Sequence, residues 1–364
     1  MGQLDRRVFV TGSLAVAATV AGVATARAAA GRQLYVGGYT SPAGRAPGLS
    51  RYQVNADGSL TAVGQLRLAN PSFAVVAGGV LYAVNELRTG RVSALRLGSG
   101  EPRLLGDQPS GGDSPCHLTV FAGHLVTANY GDGSLAVHPV AADGSLRAAT
   151  DLVRHTGRGT DPVRQAGPHA HQVVADPAGR YLLAVDLGND TVYTYRLDRE
   201  QGRLTQVAAC KVAPGAGPRH LAFAADGRHA YLANELNSTL TVLAYDAATG
   251  RLRPLGSVAA SAGDSRVRNY PGGIAVHGGR VYVSNRGHDT IGVFEPAGSG
   301  LRRLAQVPAG GSWPRHFAFG PGGSLYVAHQ KGDTVAGFRL DRAGVPRPTG
   351  QVLAVGTPSC LVFG

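Results

Sequence analysis

Seven times along this chain a short apolar run closes on a small or polar residue. Leu81-Tyr82-Ala83-Val84-Asn85 and Val281-Tyr282-Val283-Ser284-Asn285 are two copies. The others occupy 34–38, 125–129, 182–186, 231–234 and 325–329. The closing residues fall at 38, 85, 129, 186, 234, 285 and 329, at intervals of 47, 44, 57, 48, 51 and 44. Four-stranded units repeating with a period in the forties predict an all-β, seven-bladed β-propeller of antiparallel blades.

The fifth unit shows its strands most plainly. The pattern predicts strands over 218–224, 229–234, 239–245 and 252–258, with Asp226-Gly227 turning the first pair. The same turn chemistry recurs at Asp57-Gly58, Asp143-Gly144 and Pro321-Gly322-Gly323. Six units have a first strand opening near a proline, at Pro71, Pro115, Pro168, Pro218, Pro271 and Pro314. The first unit lacks one, and the missing copy stands at the far end of the chain, Pro358-Ser359-Cys360-Leu361-Val362-Phe363. The C-terminal strand is therefore expected to join the N-terminal blade and close the ring, removing two open sheet edges.

The first residues are a different kind of sequence. Arg6-Arg7 precedes an uncharged apolar stretch, and Ala26-Arg27-Ala28 is a cleavage pattern. Residues 1–28 read as a twin-arginine export signal, and 29–364 as the propeller domain of a secreted protein. No later stretch is apolar enough to span a membrane. Without the signal the chain keeps 32 basic and 22 acidic side chains, a net charge of +10. That balance suits an anionic small molecule. With no basic run longer than two residues, nucleic acid is not an expected partner. Cys116, Cys210 and Cys360 have no metal spacing and read as buried thiols. A monomer without cofactor is expected.

Topology selects the candidate chemistry. First-strand starts and second-strand ends share one end of each blade, so they converge on one mouth of the central channel. The starts offer His117, His169, His171, Arg219, His220, Arg315 and His316. The ends offer Glu86, Tyr130, Glu235, Arg286 with His288, and Gln330. The longest interval holds an insertion, 154–167, expected to bring Arg164 over the channel as a lid. His169 and His171 share a strand face, but no carboxylate completes a metal site there, so none is expected.

These groups suit the opening of a cyclic ester. Glu235 or His171 would take a proton from water. Arg219, Arg286 and Arg315 would hold an anionic group and the developing oxyanion. No Gly-x-Ser-x-Gly or His-Glu-x-x-His is present, so neither a serine hydrolase nor a zincin is supported.

At Pro168-His169-Ala170-His171, Gly217-Pro218-Arg219-His220, Asn234-Glu235-Leu236-Asn237, Ser284-Asn285-Arg286 and Trp313-Pro314-Arg315-His316 the chain resembles the lactonase family of seven-bladed propellers. That family includes 6-phosphogluconolactonases and carboxy-muconate lactonising enzymes. The resemblance implies catalytic roles for His171, Arg219, Glu235 and Arg286. His169, Arg164, His220, Arg315, His316, His288 and Glu86 are then expected to bind substrate. Members usually carry an acid near the start of the sixth blade's first strand, where this chain has Gly273. The expected activity is hydrolysis of a sugar-acid lactone outside the cell. The alternatives are a non-catalytic propeller binding a ligand or the cell wall, and a muconate-type cyclase.

Overall fold

The computed structural model describes residues 32–41 and 44–364. The signal reading of residues 1–28 lies outside them. The described chain forms seven four-stranded antiparallel sheets, one per blade, of a seven-bladed propeller.

Each apolar run of the repeat is the second strand of a blade. Val80–Asn85, His124–Asn129, Leu182–Asp186, His229–Asn234 and Ser324–His329 end on the closing residue of the repeat, and Arg280–Arg286 runs one residue further. Val80–Asn85 and His124–Asn129 are buried at every position. A strand covered on both faces needs a continuous apolar run rather than alternation. The covers are the neighbouring blades. Leu183, Val185 and Val192 of blade 4 pack on Leu221, Leu232 and Leu243 of blade 5.

In five blades the polar closing residue holds the blade to the one before it, whereas Asn234 of blade 5 bonds Thr239 and Thr241 of its own blade. Asn85 Nδ2 donates to Ala69 O at 2.7 Å, Asn129 to Ser110 O at 3.1 Å and Asn285 to Ala260 O at 3.2 Å. His329 Nε2 donates to Ala309 O at 2.7 Å. All four carbonyls lie on the crossover from the preceding blade. In blade 4 the acceptor is Asp186, whose Oδ2 takes a 2.6 Å bond from His155 Nδ1 on that crossover. A buried backbone acceptor left unpaired costs about 1–3 kcal/mol, which explains a polar residue at the end of an apolar run.

The ring closes as the pattern predicts. Pro358–Phe363 pairs antiparallel with Gln33–Gly38, Leu34 opposite Phe363 and Gly38 opposite Pro358. It is the innermost strand of blade 1.

The inner strands carry a feature that alternation does not reveal. Their register shifts between Pro115 and His117, Ala170 and Gln172, Pro218 and His220, and Pro314 and His316. Cys116, His171, Arg219 and Arg315 are thus bulge residues. A bulge inserts one extra residue and re-aims its side chain. Consecutive residues such as Arg219 and His220 can then both serve the channel.

Candidate active-site cavity

A cavity of about 400 Å³ opens at the channel mouth where inner strands start and second strands end. Tyr39, Glu86, Tyr130, Glu235, Arg286 and Gln330 line it, each the residue at or just past the end of a second strand. The bulge residues Cys116, His171 and Arg315 line it from the inner strands, and Arg164 reaches it from the insertion. Tyr270 and Trp313, each beside the proline that opens an inner strand, complete the wall.

Glu235 is the electrostatic centre and is only 4% exposed. Arg164 donates to its Oε1 at 2.6 Å, Arg286 to its Oε2 at 2.6 Å, and Arg219 Nε stands 3.2 Å from Oε2. Burial alone would raise its pKa. Arg286 and Arg219, helped by Arg164, outweigh burial and hold the carboxyl well below the usual carboxylate range. Glu235 is therefore a carboxylate at neutral pH, and both oxygens are engaged. Guanidiniums thus stand against both oxygens of the carboxylate expected to take a proton from water.

The arginines are fixed in turn. Arg286 also donates to Tyr270 O at 3.0 Å and Pro271 O at 2.9 Å. Arg219 donates to Gly272 O at 2.9 Å. Burial, with Arg286 and Arg315 nearby, lowers the Arg219 pKa to about 9. The position expected to be acidic, Gly273, directly follows that carbonyl. A side chain on Gly272 itself would meet Ser284 Oγ at 2.7 Å and Arg315 O at 2.9 Å.

The insertion is anchored, not loose. Gln165 is fully buried and donates to Leu187 O and Asp190 Oδ1, both at 2.8 Å. Its Oε1 accepts from the backbone of Thr160 and Asp161. Leu187 is the residue just past the second strand in blade 4. The insertion covers it, so Arg164 supplies the polar group that this blade's own strand end does not.

His171 lines the cavity, and its buried Nδ1 has no partner. Burial, then Arg219, pushes its pKa well below the ordinary histidine value, so the ring is neutral. Below the cavity lie further imidazoles. The His220 ring stands 5.2 Å from His171 and 5.3 Å from His117. His316 accepts from the Leu361 N–H at 3.2 Å, and burial lowers its pKa to about 4. His220 and His316 are expected substrate ligands that lie in the channel floor, outside the cavity lining.

Two further expected ligands stand elsewhere. His288 bonds Ser261 Oγ at 2.7 Å and the carbonyls of Asp264 and Val267 at 3.0 and 2.9 Å. It pins a loop and does not reach the cavity. His169 stacks on Tyr130 at 4.5 Å and bonds Tyr130 O at 2.7 Å, supporting the rim from behind. His169 and His171 belong to different surroundings because the bulge falls between Ala170 and Gln172.

Sequence reasoning missed Tyr39, Cys116, Tyr270 and Trp313 as lining residues. Tyr39 follows Gly38, as Glu86 follows Asn85, so the repeat register pointed to it. Tyr270-Pro271 and Trp313-Pro314 place an aromatic before an opening proline. Burial pushes the Cys116 thiol up, so it stays protonated and is no nucleophile.

The fold and cavity define a seven-bladed propeller with a buried, arginine-rich small-molecule site at one channel mouth. The chain belongs to the family of lactonases with a 7-bladed beta-propeller, which residues 33–363 match. It is 34% identical over 346 residues to the 6-phosphogluconolactonase of Bacillus subtilis, covering 90% of this chain and 97% of that one. It is 32% identical over 313 residues to the 6-phosphogluconolactonase of Formosa agariphila, covering 81% and 88%. The solved structure of Pseudomonas aeruginosa periplasmic gluconolactonase superposes with a TM-score of 0.85 at 34% identity, covering 91% and 98%. Among the described residues no helix is long and apolar enough to cross a membrane.

Proposed function

We propose that this protein is an exported hydrolase that opens the lactone of a sugar acid or a related carboxylate. One observation carries the reading: a buried Glu235 carboxylate gathers three arginines, of which Arg164 and Arg286 line the cavity and Arg219 stands behind the wall. Hydrolysis of a lactone puts negative charge on its carbonyl oxygen, then leaves a carboxylate. Guanidiniums held in place by Glu235 favour both, because they need no reorganisation as the charge develops. Arg315 adds free donors, since its contact with Gln330 Oε1 is long, at 3.4 Å. The names of the relatives, two 6-phosphogluconolactonases and a periplasmic gluconolactonase, support the same chemistry.

The test is hydrolysis by the purified mature protein, followed by acid release against buffer. δ-Gluconolactone and 6-phosphogluconolactone are the first substrates, and Arg219→Ala should abolish turnover. Background rates across a panel of γ- and δ-lactones, with tight binding of a wall polymer, would favour a non-catalytic propeller. Export rests on Arg6-Arg7, the apolar stretch and Ala26-Arg27-Ala28. Arg6→Lys with Arg7→Lys should retain the protein inside the cell, and normal secretion of that variant would exclude the twin-arginine route.

A further inference from the structure

Three side chains lining the cavity carry atoms that could accept a proton: Glu86, His171 and Glu235. A general base needs a lone pair that faces substrate and a protonated form that the site tolerates. Glu235 fails on both counts. Its oxygens are taken by Arg164 and Arg286, and protonation would strand three guanidiniums around a neutral acid. His171 fails the second, because burial and Arg219, with Arg315 and Arg286, outweigh the support that Glu235 would give its imidazolium.

Glu86 meets both conditions. It holds the same repeat position in blade 2 that Glu235 holds in blade 5. In a ring of seven, blades three apart are as distant as the ring allows, so the two carboxylates stand across the cavity from each other. Glu86 Oε2 accepts the Tyr39 hydroxyl at 2.9 Å. Among the described residues Oε1 accepts no hydrogen bond and no cationic side chain makes a salt bridge with Glu86; Arg315, 5.5 Å from the Tyr39 ring centroid, feels its charge without contact. Burial raises the Tyr39 pKa, so its hydroxyl stays a donor. The backbone is fixed as well. Glu86 N–H donates to Asn70 O at 3.0 Å, and Asn70 Nδ2 donates to Glu86 O at 2.9 Å.

We infer that Glu86 is the general base of the lactone-opening reaction and that Tyr39 positions it; this rests on the hydrolase reading above. A water between Glu86 and the bound lactone gives one proton to Glu86 Oε1. Its oxygen bonds to the carbonyl carbon, and the carbonyl π pair moves onto an oxyanion on the arginine side. Collapse of that intermediate re-forms the carbonyl and breaks the ring C–O bond. The departing ring oxygen takes the proton from Glu86 and becomes a hydroxyl. One lactone and one water give one hydroxy acid, which ionises in solution, and Glu86 returns to its carboxylate.

The test uses the mature protein with a lactone that the wild type opens. Glu86→Gln should lower kcat on the order of 10²- to 10⁴-fold with KM nearly unchanged. Formate should restore part of the activity of Glu86→Ala and none of that of Arg219→Ala. Tyr39→Phe should lower kcat by about tenfold without raising KM, since one hydrogen bond to a charged group is worth about 1.5 kcal/mol or more. Glu86→Asp, which keeps the charge but withdraws the oxygen by a methylene, is the second variant should Glu86→Gln fail to fold, and it too should lose kcat at constant KM. Near wild-type kcat in Glu86→Gln or Glu86→Asp, with activity lost in His171→Gln, would overturn the assignment and leave the hydrolase reading standing. A wild type that opens no lactone overturns both.

Discussion

Blade 5 and blade 2 each present a glutamate just past the second strand, and the two meet opposite surroundings. Glu235 faces the bulge residue Arg219 of its own blade, Arg286 of the next blade and Arg164 of the insertion. Glu86 has Ser72 at the matching place, just before its own inner strand Ala74–Ala77, and its hydrogen-bond partner is Tyr39 from the preceding blade. The repeat supplies the same geometry twice. The inner-strand bulge and the neighbouring strand ends decide whether the carboxylate is locked or left able to accept a proton. Equivalent positions in a propeller are thus equivalent in place and not in chemistry, which is how one scaffold hosts unrelated sites.

The largest expected difference is in stability. Glu235→Ala leaves three guanidiniums around an empty site, and breaking a buried ion pair from one side typically costs about 3–5 kcal/mol. Denaturant unfolding should show a loss of that size, together with loss of turnover. Glu86→Ala removes one partly buried carboxylate with one tyrosine partner, so its loss should stay near 1 kcal/mol. Equal losses would mean that the two carboxylates are held alike, and the comparison would collapse.

A pH series sharpens the same contrast. The folded pKa of Glu235 lies well below its ordinary value of 4.5 because Arg286 and Arg219 outweigh burial. A depressed folded pKa contributes stability that is present above the unfolded pKa and lost as pH falls through the folded one. Wild-type stability should therefore drop steeply below about pH 4.5, as acid protonates Glu235 first in the unfolded chain. In Glu235→Gln that part of the acid slope should be missing, whereas Glu86→Gln should keep it. An identical slope in Glu235→Gln would show that other carboxylates carry the acid sensitivity.

Arg164 comes next in size. Its side chain is 36% exposed, and it meets Glu235 Oε1 from a loop that Gln165 anchors independently. Arg164→Ala should change unfolding free energy by about 1 kcal/mol or less, as partly exposed pairs do. Its effect should instead appear as a rise in KM of about tenfold, the weight of one charge-assisted contact to an anion. Loss of kcat at constant KM would instead place Arg164 with the groups that act on the transition state.

Much of this was legible in the chain. Apolar runs ending at 38, 85, 129, 186, 234 and 329 mark second strands to the residue, because burial by two neighbouring blades imposes continuous hydrophobicity and, at 85, 129, 186 and 329, a polar end bonds the crossover. The missing first strand located the closing one. The site was legible in outline: Arg219, Glu235, Arg286, His171, Arg164, Arg315 and Glu86 do meet at one channel mouth. What sequence reasoning left out follows from two local events. Bulges break the period-two rule, so alternation could not separate His171 from His169, or the cavity-facing Arg315 from His316 beneath it. Turns leave the channel within two residues, so Arg286 lines the cavity and His288 belongs to an outer loop. Which carboxylate is free depends on side chains from three blades, and no local pattern carries that.

The smallest effect offers the cleanest separation of binding from catalysis. Trp313 is the single tryptophan of the chain and lines the cavity. The Arg286 guanidinium lies 5.8 Å from its ring centroid, so the indole reports on the arginine side. A hydroxy-acid product bound there should alter tryptophan emission, and the titration gives a dissociation constant without turnover. If Glu86 acts on the water and not on the anion, Glu86→Gln should bind product within about twofold of wild type, or about 0.4 kcal/mol. Arg286→Ala should lose most of the response, because it removes the anion's partner beside the indole, while Lys331 Nζ stays 3.4 Å from the ring centroid. A Glu86→Gln titration weakened as much as that of Arg286→Ala would place both carboxylates in ground-state binding. The two blades would then differ only in how tightly they hold the same ligand.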